Sequence, residues 1–440
     1  MDDATKIVNE YSRLLKDFSI ESNYQLSIVV KEILKEIKPI AIYLIGSFGR
    51  DEGSIRVLKS GSVVPIRDYD VLIVLNKRVA SEKIRKVMER VNTMLGFTSP
   101  NFRNFKFQGF CVWVTQATLK EISSAPFLKF YELRESSKLL WGQDVRRLVK
   151  VKLSELLKYN FVLILFSKIH GLLGLLALNF LRENRNDEML DLIYECLKIY
   201  VEIGTCLSLL TGKYAPSFIE RCLEVSKNFD VYFRDLQEKI PDLSCMISYC
   251  AYRRLIIDDD YLCAVRLKEF FLKTRDDLKV ILNYFIKEVY GVNLTLKELN
   301  TKVVEEVIGS YLMSKFGYLP KFFVKLVTQV YLRYVCLKFL IEGWKNGYRI
   351  RLRTLFYRQS NIMMRLWLLG LRVLDSVKQD LTIDAEILSE TLRELDKIID
   401  LSQLRKYWIK ASPNIVFSCI KEIIVKLMDM ADKIFHRKDY

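Results

Sequence analysis

Two aspartates open an apolar run, Asp68-Tyr69-Asp70-Val71-Leu72-Ile73-Val74-Leu75. In an extended strand, residues i and i+2 point to the same face with α-carbons roughly 6.6 Å apart, so the carboxylates of Asp68 and Asp70 stand side by side. Hard divalent ions take oxygen ligands, and carboxylates placed in this way hold the ions of two-metal phosphoryl-transfer sites, about 3.5–4 Å apart. The chemistry implied is metal-assisted attack on phosphorus, with one or two Mg2+ ions. The bland alternative is a pair of acids capping a strand at a solvated rim. Upstream lies Ile45-Gly46-Ser47-Phe48-Gly49-Arg50-Asp51-Glu52-Gly53. Glycine at a strand-to-helix turn lets backbone amides approach a phosphate closely, and the Ser47 hydroxyl adds a donor.

The elements that must position these residues can be read from periodicity. Helical spacing covers 4–18 and 20–37, β-branched and aromatic residues make 40–45 a buried strand, and 69–75 is a second strand. Residues 55–58 and 63–66 flank Lys59-Ser60-Gly61-Ser62 and predict a hairpin between the two motifs. An amphipathic helix over 81–95 and a third strand over 106–114, ending near Thr115, complete the first region. From Lys150 onward nearly every segment reads as helix: 153–181, 188–210, 216–229, 241–256, 260–290, 303–313, 320–344, 352–377, 385–401 and 413–435. The expected fold class is therefore α+β, an N-terminal mixed sheet with helices (1–150) followed by a large all-α region of two bundles (151–290 and 291–440), divided at Gly291-Val292-Asn293.

The order strand, Gly-Ser turn, helix, then a strand opening with Asp-x-Asp resembles the nucleotidyltransferase superfamily related to DNA polymerase β, in its minimal and aminoglycoside-modifying branches. Gly46 to Gly53 is similar to that family's Gly-Ser-x-Ala-Arg-Gly-Glu start. Phe130-Tyr131-Glu132-Leu133-Arg134-Glu135-Ser136-Ser137-Lys138-Leu139-Leu140-Trp141-Gly142-Gln143-Asp144 resembles its helix ending in a Gly-Asp turn, and Leu210-Thr211-Gly212-Lys213-Tyr214-Ala215-Pro216-Ser217 a turn of the helical domain that follows. The likeness spans about 40–230. It implies that Gly46, Ser47 and Arg50 bind the triphosphate of an NTP, and that Asp68 and Asp70 are catalytic and hold Mg2+ while a nucleoside monophosphate passes to a hydroxyl of an RNA or a small molecule. Three departures stand out: the Gly-Ser to Asp-x-Asp spacing is long, Arg67 stands where a serine commonly precedes the first aspartate, and 104–114 lacks the third carboxylate that the family usually carries on the next strand. With Gln108 there, the acceptor's proton would pass to Glu132 or Glu135; the alternative reading is a catalytically impaired nucleotidyltransferase fold serving as a nucleic-acid or protein-binding module.

Composition narrows the partners. Of 440 residues, half are apolar, and Lys plus Arg exceed Asp plus Glu by 69 to 53, with half of that surplus in residues 1–150. A basic balance favours a polyanionic partner such as nucleic acid or nucleotide phosphate. Lys345, Arg349, Arg351, Arg353, Arg358 and Arg365, interleaved with Trp344, Tyr348, Phe356, Tyr357 and Trp367, combine charge with stacking surface and are candidate nucleic-acid contacts, or else a solvated basic face. Nine cysteines without a Cys-x-x-Cys pair, and only His170 and His436, argue against zinc fingers, histidine metal triads and histidine-based nucleophilic catalysis. Gly212-Lys213-Tyr214 lacks the Walker spacing, and no arginine precedes either histidine in the ribonuclease pattern Arg-x4–6-His. The apolar run 161–181 carries Lys168 and His170 near its middle, where a lysine costs a membrane span roughly 2.5–3.5 kcal/mol, so it reads as a buried bundle helix. The acidic start Met1-Asp2-Asp3 is unlike a signal peptide, and a cytoplasmic protein is expected.

Overall fold

The structure, a computed structural model, describes residues 2–97, 110–124, 127–183, 189–291, 321–351, 362–402 and 411–436. The chain is α+β: an N-terminal region of sheet and helices leads into a helical region. Two compact units divide it, one of residues 1–160 and 185–270, the other of 161–184 and 271–438.

In the first unit a four-stranded mixed sheet has the order β5-β4-β1-β6, with β1 Ala41–Ile45, β4 Asp68–Leu75, β5 Cys111–Thr118 and β6 Lys138–Gly142. β1 runs antiparallel to β4 and β6, and β4 parallel to β5. Both faces are covered, which is why β1 and β4 read as nearly continuous apolar runs. On one face Leu26, Val29 and Ile33 of the helix Asp2–Glu36 and Ile84, Val87 and Val91 of Ser81–Met94 pack on Ile42, Leu44, Tyr69, Val71 and Ile73. On the other, Tyr43, Leu72, Val74 and Ala117 meet Phe130, Leu133, Val149 and Leu156. Residues alternate faces along β4, so Asp68 and Asp70 share the face of Leu72 and Val74, at its rim.

The long spacing between the two motifs is filled by the expected hairpin, β2 Ile55–Val57 and β3 Val63–Pro65. β2 pairs in parallel with a strand absent from the sequence reading, β7 Ile256–Asp258, to form a second sheet, β3-β2-β7. Arg56 donates to Asp259 at 2.9 Å and the Lys59 amide to the same carboxylate at 3.0 Å. The inserted hairpin is thus a strap from the sheet region to the helices Leu243–Leu255 and Asp259–Ala264.

Several boundaries differ from expectation. Residues 4–37 form one helix rather than two, Asp2–Glu36. The third strand, Cys111–Thr118 among the described residues, runs past the expected end near Thr115, while 106–109 lie outside the described residues. The expected helix through 130–144 ends at Ser136 and gives way to β6, because Ser137 turns extended and Gly142, at φ +90°, lies so close to Ile40 that a Cβ would fall 2.2 Å from its carbonyl oxygen. An extended Val265 splits the helix expected over 260–290 into Asp259–Ala264 and Leu267–Tyr290. The helix expected over 303–313 and residues 352–361 of the helix expected over 352–377 lie outside the described residues.

In the second unit the helices Lys321–Lys345, Ile362–Asp375, Ala385–Leu395 and Pro413–His436 enclose Phe339, Leu366, Leu374, Ile420, Ile424 and Leu427. Phe166 stacks on Trp367 at 5.5 Å, and Lys168 and His170 are buried, the latter 3.1 Å from Asp429. The apolar run is thus buried in helices, but as two, Leu153–Leu175 and Leu178–Glu183, rather than the single one expected. Among the described residues no helix is long and apolar enough to cross a membrane.

Candidate active site

The antiparallel register sets Ile45, the last residue of β1, opposite Asp70. The chain then enters a single helical turn, Gly46–Gly49, through Gly46 at φ +69°, a conformation that favours glycine. A Cβ at Gly46 would stand 2.4 Å from Asp70 Oδ2. The Gly-Ser turn and the second aspartate are therefore in direct contact, as the two motifs require if they serve one site.

Around this turn the buried Glu52 and the half-buried Glu132 fix the geometry. Glu52 accepts from the Ser217 hydroxyl at 2.5 Å and from the amides of Phe218 and Ile219 at 2.9 and 3.2 Å. It thereby satisfies free donors at the start of the helix Phe218–Lys227 and places its charge at the positive end. Tyr11, from the first helix, donates to the Gly53 carbonyl at 2.7 Å. Glu132 accepts from the Tyr214 hydroxyl and pairs with Arg50 at 3.1 Å and Arg221 at 3.4 Å. The three segments singled out in sequence, 46–53, 130–144 and 210–217, are thus one hydrogen-bonded assembly. Replacing Glu52 by Gln puts an amide donor among amide donors; the expected cost is about 1–2 kcal/mol of unfolding free energy by urea denaturation, the scale of a lost helix cap. An unchanged midpoint would remove Glu52 from this role.

Asp68 and Asp70 are half-buried. Burial raises the Asp68 carboxyl above its ordinary range, opposed by Lys198, Arg67 and Arg254. The Asp70 carboxyl is raised further, by burial and then by the charge of Asp68, against Lys198 and Arg50. Two acids that repel each other in a desolvated site, with cations only partly offsetting them, are an arrangement a divalent ion would relieve. Across the sheet, β5 presents Cys111 opposite Asp68 and Trp113 opposite Asp70. The Cys111 thiol lies beside the two aspartates, whereas the Trp113 ring packs against the core cluster that holds Tyr69 and Val71. Burial raises the Cys111 thiol well above its usual range, and the two aspartates push it further. Among the described residues no group of three or more His, Cys, Asp or Glu side chains is placed to hold a metal, so an ion here would draw two protein carboxylates and complete its shell from phosphate and water.

Lys198, unremarked in the sequence reading, is the cation acting on both aspartates. It belongs to the helix Leu190–Leu210, otherwise largely apolar and buried. The signal was present as Asp191, Glu195, Lys198 and Glu202, a polar stripe at spacings of four, three and four. Arg67, in the left-handed region at φ +81°, points the same way: it stacks on the Tyr194 ring at 4.8 Å and lies 3.6 Å from Glu195. Burial would raise the Tyr194 hydroxyl, yet Arg254, Lys198, a hydrogen bond with Ser54 and Arg67 together hold it below its usual value.

The remaining candidates separate. Arg50 lies between Glu52 and Glu132, so its charge is spent on positioning the turn as much as on any ligand. Glu135 pairs with Arg134 at 2.6 Å. In the second unit Arg351 pairs with Asp396 at 2.9 Å and Asp400 at 3.4 Å, Arg365 lies 3.8 Å from Glu394 and the exposed Lys345 3.6 Å from Glu342, whereas Arg349 is exposed. Arg353, Arg358 and Gln108 lie outside the described residues. No protein-family model and no curated protein matches the chain.

Proposed function

We propose that the first unit binds a Mg2+-complexed nucleoside triphosphate and transfers its nucleoside monophosphate to a hydroxyl of an RNA or a small molecule. The observation that carries this reading is the contact of Gly46 with Asp70, which brings a phosphate-binding turn and a paired-carboxylate strand to one point. Asp68 and Asp70 would hold the metal; their oxygen donors and only partly offset mutual repulsion suit a hard divalent ion. When bound, that ion neutralises charge on the transferring phosphoryl group. Lys198 supplies a further positive charge beside the carboxylates, Ser47 donates to phosphate, and Glu52 and Glu132 hold the turn rigid against the helices behind it. Ser47→Ala should weaken triphosphate binding by about 1–3 kcal/mol, the scale of one hydrogen bond to a charged group. An unaltered dissociation constant would detach Ser47 from the phosphate.

A second reading has its own support. Cys111 lies beside the aspartates where a proton acceptor would be needed, its thiol is held protonated, and Glu132 is committed to Arg50, Arg221 and Tyr214. This composition favours nucleotide binding with slow or no turnover. Incubating the protein with each α-labelled NTP, Mg2+ and total RNA separates the readings. Label transfer to RNA supports the transferase; retention of NTP without transfer supports the binding module; no retention of any NTP defeats both.

A further inference from the structure

The helix Lys321–Lys345 is apolar on two opposite sides. One side, with Val335, Cys336, Phe339, Leu340 and Gly343, is buried in the second unit. The other exposes Val330 (61%), Tyr334 (45%), Leu337 (44%), Ile341 (41%) and Trp344 (52%). Their spacings of four, three, four and three residues are those of a heptad seam, and at 100° per residue they occupy a stripe about 80° wide. In sequence the same spacing continues to Val327 and Phe323. So narrow a stripe matches the line of contact with one partner helix, and is narrower than the broad apolar face of a helix lying in a membrane interface.

Cations line both borders. Arg333 is exposed on one edge; Lys338, 4.8 Å over the Tyr334 ring, and Lys345, exposed and 3.6 Å from Glu342, stand on the other, and the helix as a whole carries five basic residues against one acid, Glu342. A second copy of this chain would set basic border against basic border, and Val330, Leu337 and Ile341 offer nothing to a phosphate backbone. We propose that this face docks an acidic amphipathic helix of another protein, its apolar residues on the seam and its carboxylates against Arg333, Lys338 and Lys345.

The test uses the full-length chain and two labelled four-heptad peptides with Leu at a and d, one with Glu and one with Lys at e and g, followed by fluorescence anisotropy. The Glu peptide is expected to bind about tenfold or more tighter than the Lys peptide, with affinity falling as salt rises. Leu337→Asp with Ile341→Asp should remove about tenfold of that affinity at an unchanged melting temperature. Lys338→Glu with Lys345→Glu, which leaves the seam intact, should shift preference towards the Lys peptide. Equal binding of the two peptides overturns the proposal. So does a concentration-dependent dimer in sedimentation that Leu337→Asp abolishes, which would identify a second copy as the occupant. Seam-dependent binding to phosphatidylserine vesicles or single-stranded RNA without preference for the Glu peptide overturns it equally.

Discussion

Asp68→Asn combined with Asp70→Asn is expected to lower metal-dependent nucleotide transfer by at least about 10²–10³-fold while making the ligand-free protein more stable. Asparagine keeps the volume and removes the charges that would hold Mg2+. The stability effect follows from linkage. Both carboxyls are raised in the folded state, Asp70 well above its ordinary value through burial and the neighbouring Asp68. The folded chain therefore binds these protons more tightly than the unfolded chain, and their ionisation costs stability progressively as pH rises from the ordinary carboxylate range through the raised folded values. At neutral pH the double variant should melt about 2–4 °C higher, the shift that ~1 kcal/mol produces in a unit of this size. The gain should shrink as pH falls from the raised folded values towards about 4 and vanish below that, where these carboxyls are protonated in the folded and unfolded parent alike. A variant that transfers nucleotide normally removes these residues from the site; one that melts lower makes the pair a structural strand cap.

Lys198→Met is expected to weaken triphosphate binding by about 10- to 150-fold, equivalent to 1.5–3 kcal/mol for a charged hydrogen bond, with metal still present. Burial opposes the Lys198 charge, but Glu195, Tyr194 and Glu202 hold the ammonium protonated. It is also the first cation acting on each aspartate, so its loss leaves the carboxylates less compensated. The two roles separate in experiment. If Lys198 meets phosphate, the variant's loss is large for the triphosphate and small for the nucleoside. If it only balances Asp68 and Asp70, nucleotide affinity changes little and the melting temperature drops alone.

What was legible in the sequence was local. The i, i+2 geometry of Asp68 and Asp70, the buried strands 40–45 and 69–75, and the hairpin all follow from patterns a few residues long. The assembly that fixes the turn was not, because it joins distant positions: Glu52 to Ser217, and Glu132 to Tyr214 and Arg221. Likewise β7 has three residues, too few for any periodicity, and exists because β2 lies beside it. β6 was hidden in a segment whose apolar spacing continues that of the preceding helix; a tertiary contact at Gly142 decides its conformation. The long segment between the Gly46 turn and Asp68 has a physical use as the strap held by Arg56 and Asp259. On β5 the residues paired with Asp68 and Asp70 are Cys111 and Trp113, neither of them a carboxylate.

The most direct test of a joint metal and nucleotide site is binding of Mn2+, followed by electron paramagnetic resonance, in the presence and absence of a non-transferable NTP analogue. Two carboxylates make an incomplete ligand set, so Mn2+ should bind weakly alone and about tenfold or more tighter with the analogue, and Asp68→Asn with Asp70→Asn should abolish that gain. The opposite result, with the analogue binding equally well in chelator and in the double variant, would show that Asp68, Asp70 and the Gly46 turn do not form one site.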